Sequence, residues 1–141
     1  MERKSWETIF IEMALLFSER SPCGRLHVGC VLVNEENRVI STGYNGFMSG
    51  ASHVSVVRDD HEQATVHAEM NCLTFCAKEG TPVGGCCAYI THYPCLNCMK
   101  ALYQSGVKSI IYKDDYKNDP LVEKLFVPLG VSIHKYLVSK N

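Results

Sequence analysis

The sequence of 141 residues has no long apolar run and no excess of charge of either sign. No stretch approaches the roughly 18 apolar residues of a membrane-spanning helix, and no apolar segment follows a basic start, which argues against a signal peptide. The 14 Lys and Arg residues stand against 15 Asp and Glu residues, and no run of the chain is basic. We therefore expect a cytoplasmic protein without a general attraction for membranes or nucleic acid.

Eight cysteines are present, but none lies between residues 31 and 71. Without a secretory signal, the reducing cytosol is the better expectation, and thiols rather than disulfides follow from it. Six of the eight are then most simply interpreted as buried thiols that behave as small apolar groups: Cys23, Cys30, Cys72, Cys76, Cys86 and Cys87.

Apolar spacing and turn residues predict alternating helices and strands, with no repeat and no low-complexity segment. We expect helices over residues 6–19, 65–78, 95–105 and 120–129, the last with Asp119 as its N-cap, and strands over 27–34, 38–44, 86–92, 107–112 and 131–136. The first two strands form a hairpin, and the strand-helix-strand unit after them should be parallel with a right-handed crossover. The prediction is one α/β domain over residues 1–141, with a mixed five-stranded sheet and helices on both faces.

Two short motifs supply three residues of the kind that bind zinc. His67-Ala68-Glu69 is separated by 24 residues from Pro94-Cys95-Leu96-Asn97-Cys98. The two cysteines are neighbours on one helical face, and Pro94 is a natural residue at a helix start. The positive end of such a helix favours the thiolates that zinc requires. Three protein ligands leave the fourth position of a tetrahedral zinc to water, which distinguishes a catalytic site from a structural one.

Glu69 is the candidate proton carrier, but the spacing alone does not orient it. A helix that begins near Thr65 would place His67 in its first turn and Glu69 about 200° further round the axis. Two other interpretations of the cysteines are possible. A structural zinc site normally has four protein ligands, and a redox-active cysteine pair would not require His67 and Glu69.

The pattern H-x-E followed by P-C-x-x-C resembles the signature of zinc-dependent nucleobase deaminases. Residues 21–29 (SPCGRLHVG), 43–46 (GYNG) and 67–71 (HAEMN) are similar to deoxycytidylate (dCMP) deaminases in particular, and virus-encoded members, some of which also accept dCTP, are similar too. The resemblance covers nearly the whole chain. It implies a three-layer α-β-α cytidine deaminase-like fold and the zinc-dependent hydrolysis of dCMP to ammonia and dUMP, the precursor of dTMP.

The same resemblance implies a role for each of several residues. His67, Cys95 and Cys98 would bind one catalytic Zn²⁺ per subunit, and Glu69 would carry a proton from water to N3 of cytosine and then to the departing amine. Ala68 is small enough to let the base approach its backbone. Arg25 is the expected phosphate clamp, and Asn45 is the expected sugar ligand. Tyr116 and Lys117 would contact the base or the phosphate. Each of these four also has a plain interpretation, as solvated surface or as a turn residue.

The family resemblance also suggests partners and regulation. Its members are commonly homohexamers, activated by dCTP and inhibited by dTTP, with Mg²⁺ accompanying a triphosphate effector or substrate. No effector-binding residue is evident, although residues 47–64 form a long irregular stretch of the kind that is usually functional or mobile. A second zinc site that uses Cys23 or a histidine of residues 53–61 is an alternative to the simple thiol interpretation.

Other substrates and a non-catalytic role are the competing hypotheses. A deaminase of tRNA or single-stranded nucleic acid would need a basic groove along the backbone phosphates, and this chain has no basic run. A nucleoside deaminase of the cytidine type usually has Cys at the position of His67. A zinc-stabilised binding module would have no need of Glu69, so the sequence favours a nucleotide-specific enzyme.

Overall fold

A five-stranded mixed sheet carries helices on both faces in the computed structural model, which describes residues 2–138. The helices are α1 (Trp6–Ser18), α2 (Ala68–Glu79), α3 (Leu96–Gln104) and α4 (Pro120–Phe126), and a 3-10 turn, Val127–Leu129, continues the last of them. The strands of the large sheet are β1 (Gly29–Val33), β2 (Val39–Tyr44), β7 (Cys87–His92), β8 (Ser109–Asp114) and β9 (Ser132–Lys135). Between them lie four two-residue strands, β3 (Gly46–Phe47), β4 (Val57–Arg58), β5 (His61–Glu62) and β6 (Thr65–Val66).

The strand order across the large sheet is β2-β1-β7-β8-β9. The hairpin of β1 and β2 is antiparallel, and β1 also pairs antiparallel with β7. The pair β7-β8 is parallel, as the strand-helix-strand pattern predicts, and the pair β8-β9 is parallel as well. The predicted mixed five-stranded α/β fold is confirmed.

Two apolar cores lie on opposite faces of the sheet because successive strand side chains point to opposite sides. Leu32, Ala88 and Ile110 face the core that includes residues of α2, α3 and α4. Their neighbours Val31 and Tyr89 face the core beneath α1. Every residue of β1 is buried, so this strand is a continuous apolar run without polar alternation.

Local capping chemistry sets the helix ends close to where the sequence predicts them. Ser5 accepts a hydrogen bond from the Thr8 amide at 3.2 Å and begins α1. Asp119 accepts from the Leu121 amide at 2.9 Å, with Pro120 at the first helical position of α4. Gly80 ends α2 in the left-handed conformation with φ 72°, which costs glycine little.

The start of the second helix differs from the prediction. The sequence predicts a helix from Thr65, but Thr65 and Val66 are extended and pair with β3, and the helix begins only at Ala68. Both residues are β-branched and therefore favour the strand. The predicted position of His67 in the first helical turn is wrong, because His67 is the N-cap of α2. In the same way Cys95, expected inside α3, is its N-cap.

The stretch from residue 47 to residue 64 is less irregular than expected. It contains the small hairpin of β4 and β5, which the side chain of Glu62 stabilises by hydrogen bonds. The carboxylate of Glu62 accepts hydrogen bonds from the Ser55 hydroxyl and, at 2.9 Å each, from the amides of Val56 and Ala64. Over residues 2–138, no helix combines the length and the apolar character needed to cross a membrane.

The six cysteines outside the P-C-x-x-C motif fall into two groups. Four are buried in the sheet and α2 region, as predicted: Cys30, Cys72, Cys76 and Cys86. The other two, Cys23 and Cys87, are only partly buried, so the prediction of a buried thiol is wrong for them. Burial raises the pKa of Cys87, and the thiol form is favoured there.

Candidate active site

Two helix N-termini meet at the site, and each carries part of a potential metal centre. His67 caps α2, while Cys95 caps α3 and Cys98 lies in the first turn of that helix. The Nδ1 atom of His67 is 3.2 Å from the Sγ atom of Cys98 and 3.6 Å from that of Cys95. All three potential ligand atoms lie within 4.8 Å of one another, and no other such cluster is found in residues 2–138.

The donor set and its spacing fit zinc. Ligands bound about 2.0–2.3 Å from a tetrahedral ion lie roughly 3.5–3.8 Å from one another, close to the separations found here. One imidazole nitrogen and two thiolate sulfurs are among the ligands that zinc prefers. His67 and Cys95 are exposed, so the cluster is open to the cleft on one side, and a fourth position remains for solvent.

The thiols of Cys95 and Cys98 have pKa values shifted in opposite directions. A hydrogen bond with Cys98 lowers the pKa of Cys95 to about 4, against the effect of burial, and His67 and the Cys98 amide add to the shift. That amide is 3.5 Å from the Cys95 sulfur, as expected at a helix N-terminus. The hydrogen bond with Cys95 and burial raise the pKa of Cys98. Cys95 is therefore the first thiolate, and a bound cation would release the proton of Cys98.

The structure orients Glu69, which the spacing could not do. Because α2 begins at Ala68, Glu69 is the second residue of the helix and lies 4% exposed at the cleft wall. Burial raises the pKa of the Glu69 carboxyl, and hydrogen bonds from its own amide and from Cys98 oppose that shift. The contact with the Cys98 thiol places the carboxyl beside the three potential ligands. A group in this position can accept and return a proton.

One cleft of about 780 Å³ contains nearly every residue that the sequence predicts for the site. His67, Glu69 and Cys95 line it directly, and Cys98 lies just behind them. All five predicted substrate contacts also line it: Arg25, Asn45, Ala68, Tyr116 and Lys117. These residues come from separate parts of the chain, and only the fold brings their side chains to one cleft. Their individual roles stay predictions.

Asn45 has a clear structural task at the cleft wall. Its amide oxygen accepts from the Val28 amide at 2.8 Å, and its amide nitrogen donates to the Leu26 carbonyl at 2.7 Å. These bonds fix the segment that follows Arg25. One N–H and one lone pair of the Asn45 amide remain available for a sugar hydroxyl.

The other predicted pair lies beyond the end of β8. Lys117 places its ammonium nitrogen 5.4 Å from the centre of the Tyr116 ring. The ring of His92 meets the Tyr116 ring nearly edge-on, with centres 6.1 Å apart. His92 lines the cleft but was not predicted, although its place at the carboxyl end of a strand, just before P-C-x-x-C, is a usable signal.

The residues of the alternative second zinc site have other partners. Cys23 has its sulfur 3.7 Å from the Asn45 carbonyl, and His53 stacks on Phe47 with ring centres 5.0 Å apart. Both line the cleft, together with His61 and Glu62 of the β4-β5 hairpin. The hairpin thus forms part of the wall rather than a separate centre.

Comparison with known proteins places this geometry in a family. Residues 4–114 match the family described as the cytidine and deoxycytidylate deaminase zinc-binding region. ComE operon protein 2 of Bacillus subtilis is 41% identical over 96% of this chain and 73% of its own length. The deoxycytidylate deaminase of Mycobacterium phage D29 is 35% identical over 79% of this chain and 97% of its own.

A solved structure shares the fold closely. The dCMP deaminase of cyanophage S-TIM5, crystallised in complex with dCMP and dUMP, superimposes with a TM-score of 0.84 at 29% identity. The match covers 96% of this chain and all of the other. This chain therefore has the same fold as that cyanophage enzyme.

Proposed function

Because the chain belongs to the cytidine and deoxycytidylate deaminase family, we propose that it hydrolyses dCMP to dUMP and ammonia at this site. The observation that carries the proposal is the buried carboxyl of Glu69 beside the cluster of His67, Cys95 and Cys98. Phage relatives named deoxycytidylate deaminases and the phage enzyme with dCMP and dUMP support the choice of substrate.

The residues at the two helix N-termini have two different roles in the proposed hydrolysis, metal binding and proton transfer. His67, Cys95 and Cys98 would hold one zinc ion, which supplies hydroxide at neutral pH when bound. Glu69 accepts one proton of the attacking water and gives it to N3 of cytosine, and it then carries the second proton of that water from the oxygen on C4 to the leaving amine. Its buried setting favours the protonated form that the second half of this cycle needs.

The cleft also has groups for the rest of the nucleotide. Ala68 has no exposed surface and a side chain too small to obstruct the base. The Asn45 amide has spare hydrogen-bonding capacity for the sugar, while Arg25 and Lys117 provide positive charge at the wall. We assign these residues to base, sugar and phosphate in that order.

Substrate comparison on the zinc-loaded protein tests the proposal. Ammonia release is measured for dCMP, dCTP, deoxycytidine and a cytosine-containing oligonucleotide at equal concentrations. We expect dCMP to give the highest kcat/KM. A preference for deoxycytidine or for the oligonucleotide would contradict the assignment to nucleotides.

We also propose several finer features from the resemblance to this family. They are dCTP as a second substrate, activation by dCTP and inhibition by dTTP with Mg²⁺, a homohexamer, a single domain over residues 1–141 and a cytoplasmic location. Repeating the substrate comparison with and without dTTP and Mg²⁺ tests the regulation. Sedimentation at several protein concentrations tests the oligomer.

A further inference from the structure

His92 is a polar residue of the cleft to which the catalytic scheme gives no task. It is the last residue of β7, lies three positions before Cys95 and is half-buried in the cleft wall. Its two ring nitrogens, Nδ1 and Nε2, have different surroundings.

The hydrogen bonds around Thr91 determine which nitrogen of His92 carries the proton. Thr91 is fully buried, and its hydroxyl oxygen accepts from the Gly29 amide at 3.1 Å. In the described part of the chain, the only acceptor for the Thr91 hydroxyl hydrogen is Nδ1 of His92, 2.8 Å away. A buried hydroxyl without an acceptor is costly, so Thr91 donates to Nδ1. The neutral ring then has its hydrogen on Nε2.

The accessibility of Nε2 follows from the hydrogen bonds of the described residues. Within residues 2–138, Nε2 has no hydrogen-bond partner. Every buried side-chain nitrogen or oxygen of that range has one, so Nε2 is not among the buried atoms. Nε2 is therefore accessible, and His92 is a lining residue of the cleft. Burial lowers the pKa of His92, which agrees with a neutral ring that presents an N–H donor.

The neighbours of His92 indicate what this donor meets. Its ring touches the edge of Tyr116, and Lys117 lies over the other ring with its nitrogen 5.4 Å from the centre. His92, Tyr116 and Lys117 thus form one row on the cleft wall. Glu69 and the potential zinc ligands occupy the place where the amino group reacts. An anion attracted by Lys117 would bring its oxygens to this row.

We propose that His92 donates its Nε2 hydrogen to a phosphate oxygen of the bound nucleotide and so helps to select nucleotides over nucleosides. The inference rests on the proposed function, because it takes the ligand to be a deoxycytidine nucleotide. Thr91 acts as a positioning residue, since its hydroxyl fixes the tautomer of the ring.

Three substitutions separate the two ring nitrogens. His92→Leu removes both, His92→Asn keeps a partner for Thr91 without reaching the cleft, and His92→Gln extends an N–H donor toward the position of Nε2. His134→Leu is the matched control, because His134 is an exposed histidine of β9 that does not line the cleft. The Asn and Gln variants keep the experiment decisive if the Leu variant folds poorly.

Binding is measured by calorimetry with dUMP and deoxyuridine on the zinc-loaded proteins, and turnover with dCMP and deoxycytidine. We expect the Leu and Asn variants to weaken dUMP binding and raise KM for dCMP about tenfold or more, as for a lost hydrogen bond to a charged group. Their deoxyuridine binding should be unchanged, and His92→Gln should recover most of the dUMP affinity.

An equal loss for dUMP and deoxyuridine would overturn the inference, because His92 would then contact the base or sugar or act only structurally. Unchanged dUMP binding in the Leu and Asn variants, or no recovery by Gln, would overturn it as well. Turnover of dCMP by the unmodified protein is a separate readout. If that turnover is absent while dUMP binding depends on His92, the proposed reaction fails and the phosphate contact stands.

Discussion

Glu69 illustrates how a difference of three residues in a helix start changes a catalytic interpretation. With the helix beginning at Ala68 instead of Thr65, His67 leaves the helix and its imidazole turns toward the cysteines, while Glu69 enters the first turn. The carboxyl then lies beside Cys98 in a buried setting that raises its pKa. The proposed proton carrier and the potential metal ligands thus lie at one end of the cleft.

Replacing Glu69 with Gln should abolish most of the ammonia release without loss of zinc. The amide is similar in size but cannot carry the proton, and general acid-base catalysis typically contributes about 10²–10⁴-fold. Zinc content, measured by metal analysis, should stay at about one per chain, as three protein ligands remain. Glu79→Gln, at the exposed end of the same helix, serves as the control. Full activity in Glu69→Gln would remove the proposed proton transfer.

At the scale of elements, the contact between β2 and α2 fixes the catalytic helix against the sheet. A Cβ atom on Gly43 would lie 2.6 Å from the Ala68 carbonyl oxygen and 3.1 Å from the Cys72 amide. Only glycine allows this approach of strand and helix backbone. The Ser41 hydroxyl, which donates to the Cys72 carbonyl at 2.9 Å, supports the same contact.

Gly43→Ala should therefore destabilise the protein by about 1–3 kcal/mol, the usual cost of overpacking a buried contact. The displaced helix carries Glu69 and follows His67, so zinc affinity and activity should fall as well. Urea unfolding of the zinc-loaded variant measures the change. Gly84→Ala is the matched control, because nothing lies within 4 Å of the added Cβ. Equal stability of the two variants would mean that the helix start can shift freely.

The β4-β5 hairpin at the cleft wall depends on Glu62 in its charged form. Hydrogen bonds from Ser55 and from the amides of Ala64 and Val56 lower the pKa of Glu62 to about 2. A carboxyl whose folded pKa is depressed stabilises the fold above its unfolded pKa, and this stabilisation is lost as the pH falls from there to the folded pKa. The window for Glu62 is thus between about pH 4.5 and pH 2.

Nuclear magnetic resonance can check this ionisation directly. The amide signals of Val56 and Ala64 should show no titration between pH 7 and pH 4, since Glu62 stays charged throughout that range. The Glu62→Ala variant should lose these two hydrogen bonds and shift both signals at pH 7. Titration of the two amides at the pH of an ordinary glutamate would show that the hairpin is not stabilised in this way.

For the whole molecule, a metal at this site would tie two helices together. His67 comes from the start of α2, and Cys95 and Cys98 come from the start of α3, so a bound ion joins segments that are distant in sequence. Metal binding to the folded state adds to its stability. The same ion would hold the cleft wall in place.

Removing zinc with a chelator should lower Tm and abolish activity, and added zinc should restore both. At a free zinc concentration of 100 times Kd, the stabilisation amounts to about 2.7 kcal/mol. Differential scanning calorimetry at several zinc concentrations measures it, with Mg²⁺ as the control ion because it prefers oxygen ligands. A Tm that does not depend on zinc would contradict a metal site at the two helix starts.

The amino-acid sequence by itself determined the four helices except for the start of α2, the five strands of the large sheet, the parallel pairing of β7 and β8 and the identity of the three potential ligands. These features follow from local chemistry: apolar spacing, the caps Ser5 and Asp119, and the ligand types and spacing of the motifs. The family resemblance then named Arg25, Asn45, Tyr116 and Lys117 as substrate contacts, a role that stays a prediction, and in the structure these residues line the cleft.

Only the tertiary structure decided where Glu69 points and that His92 joins the site. Thr65 and Val66 pair with β3, a strand about twenty residues earlier, and that pairing moves the start of α2. The tautomer of His92 depends on the Gly29 amide, 62 residues from Thr91 in the chain. Such contacts are set by sheet pairing between distant segments, and no local pattern of residues records them.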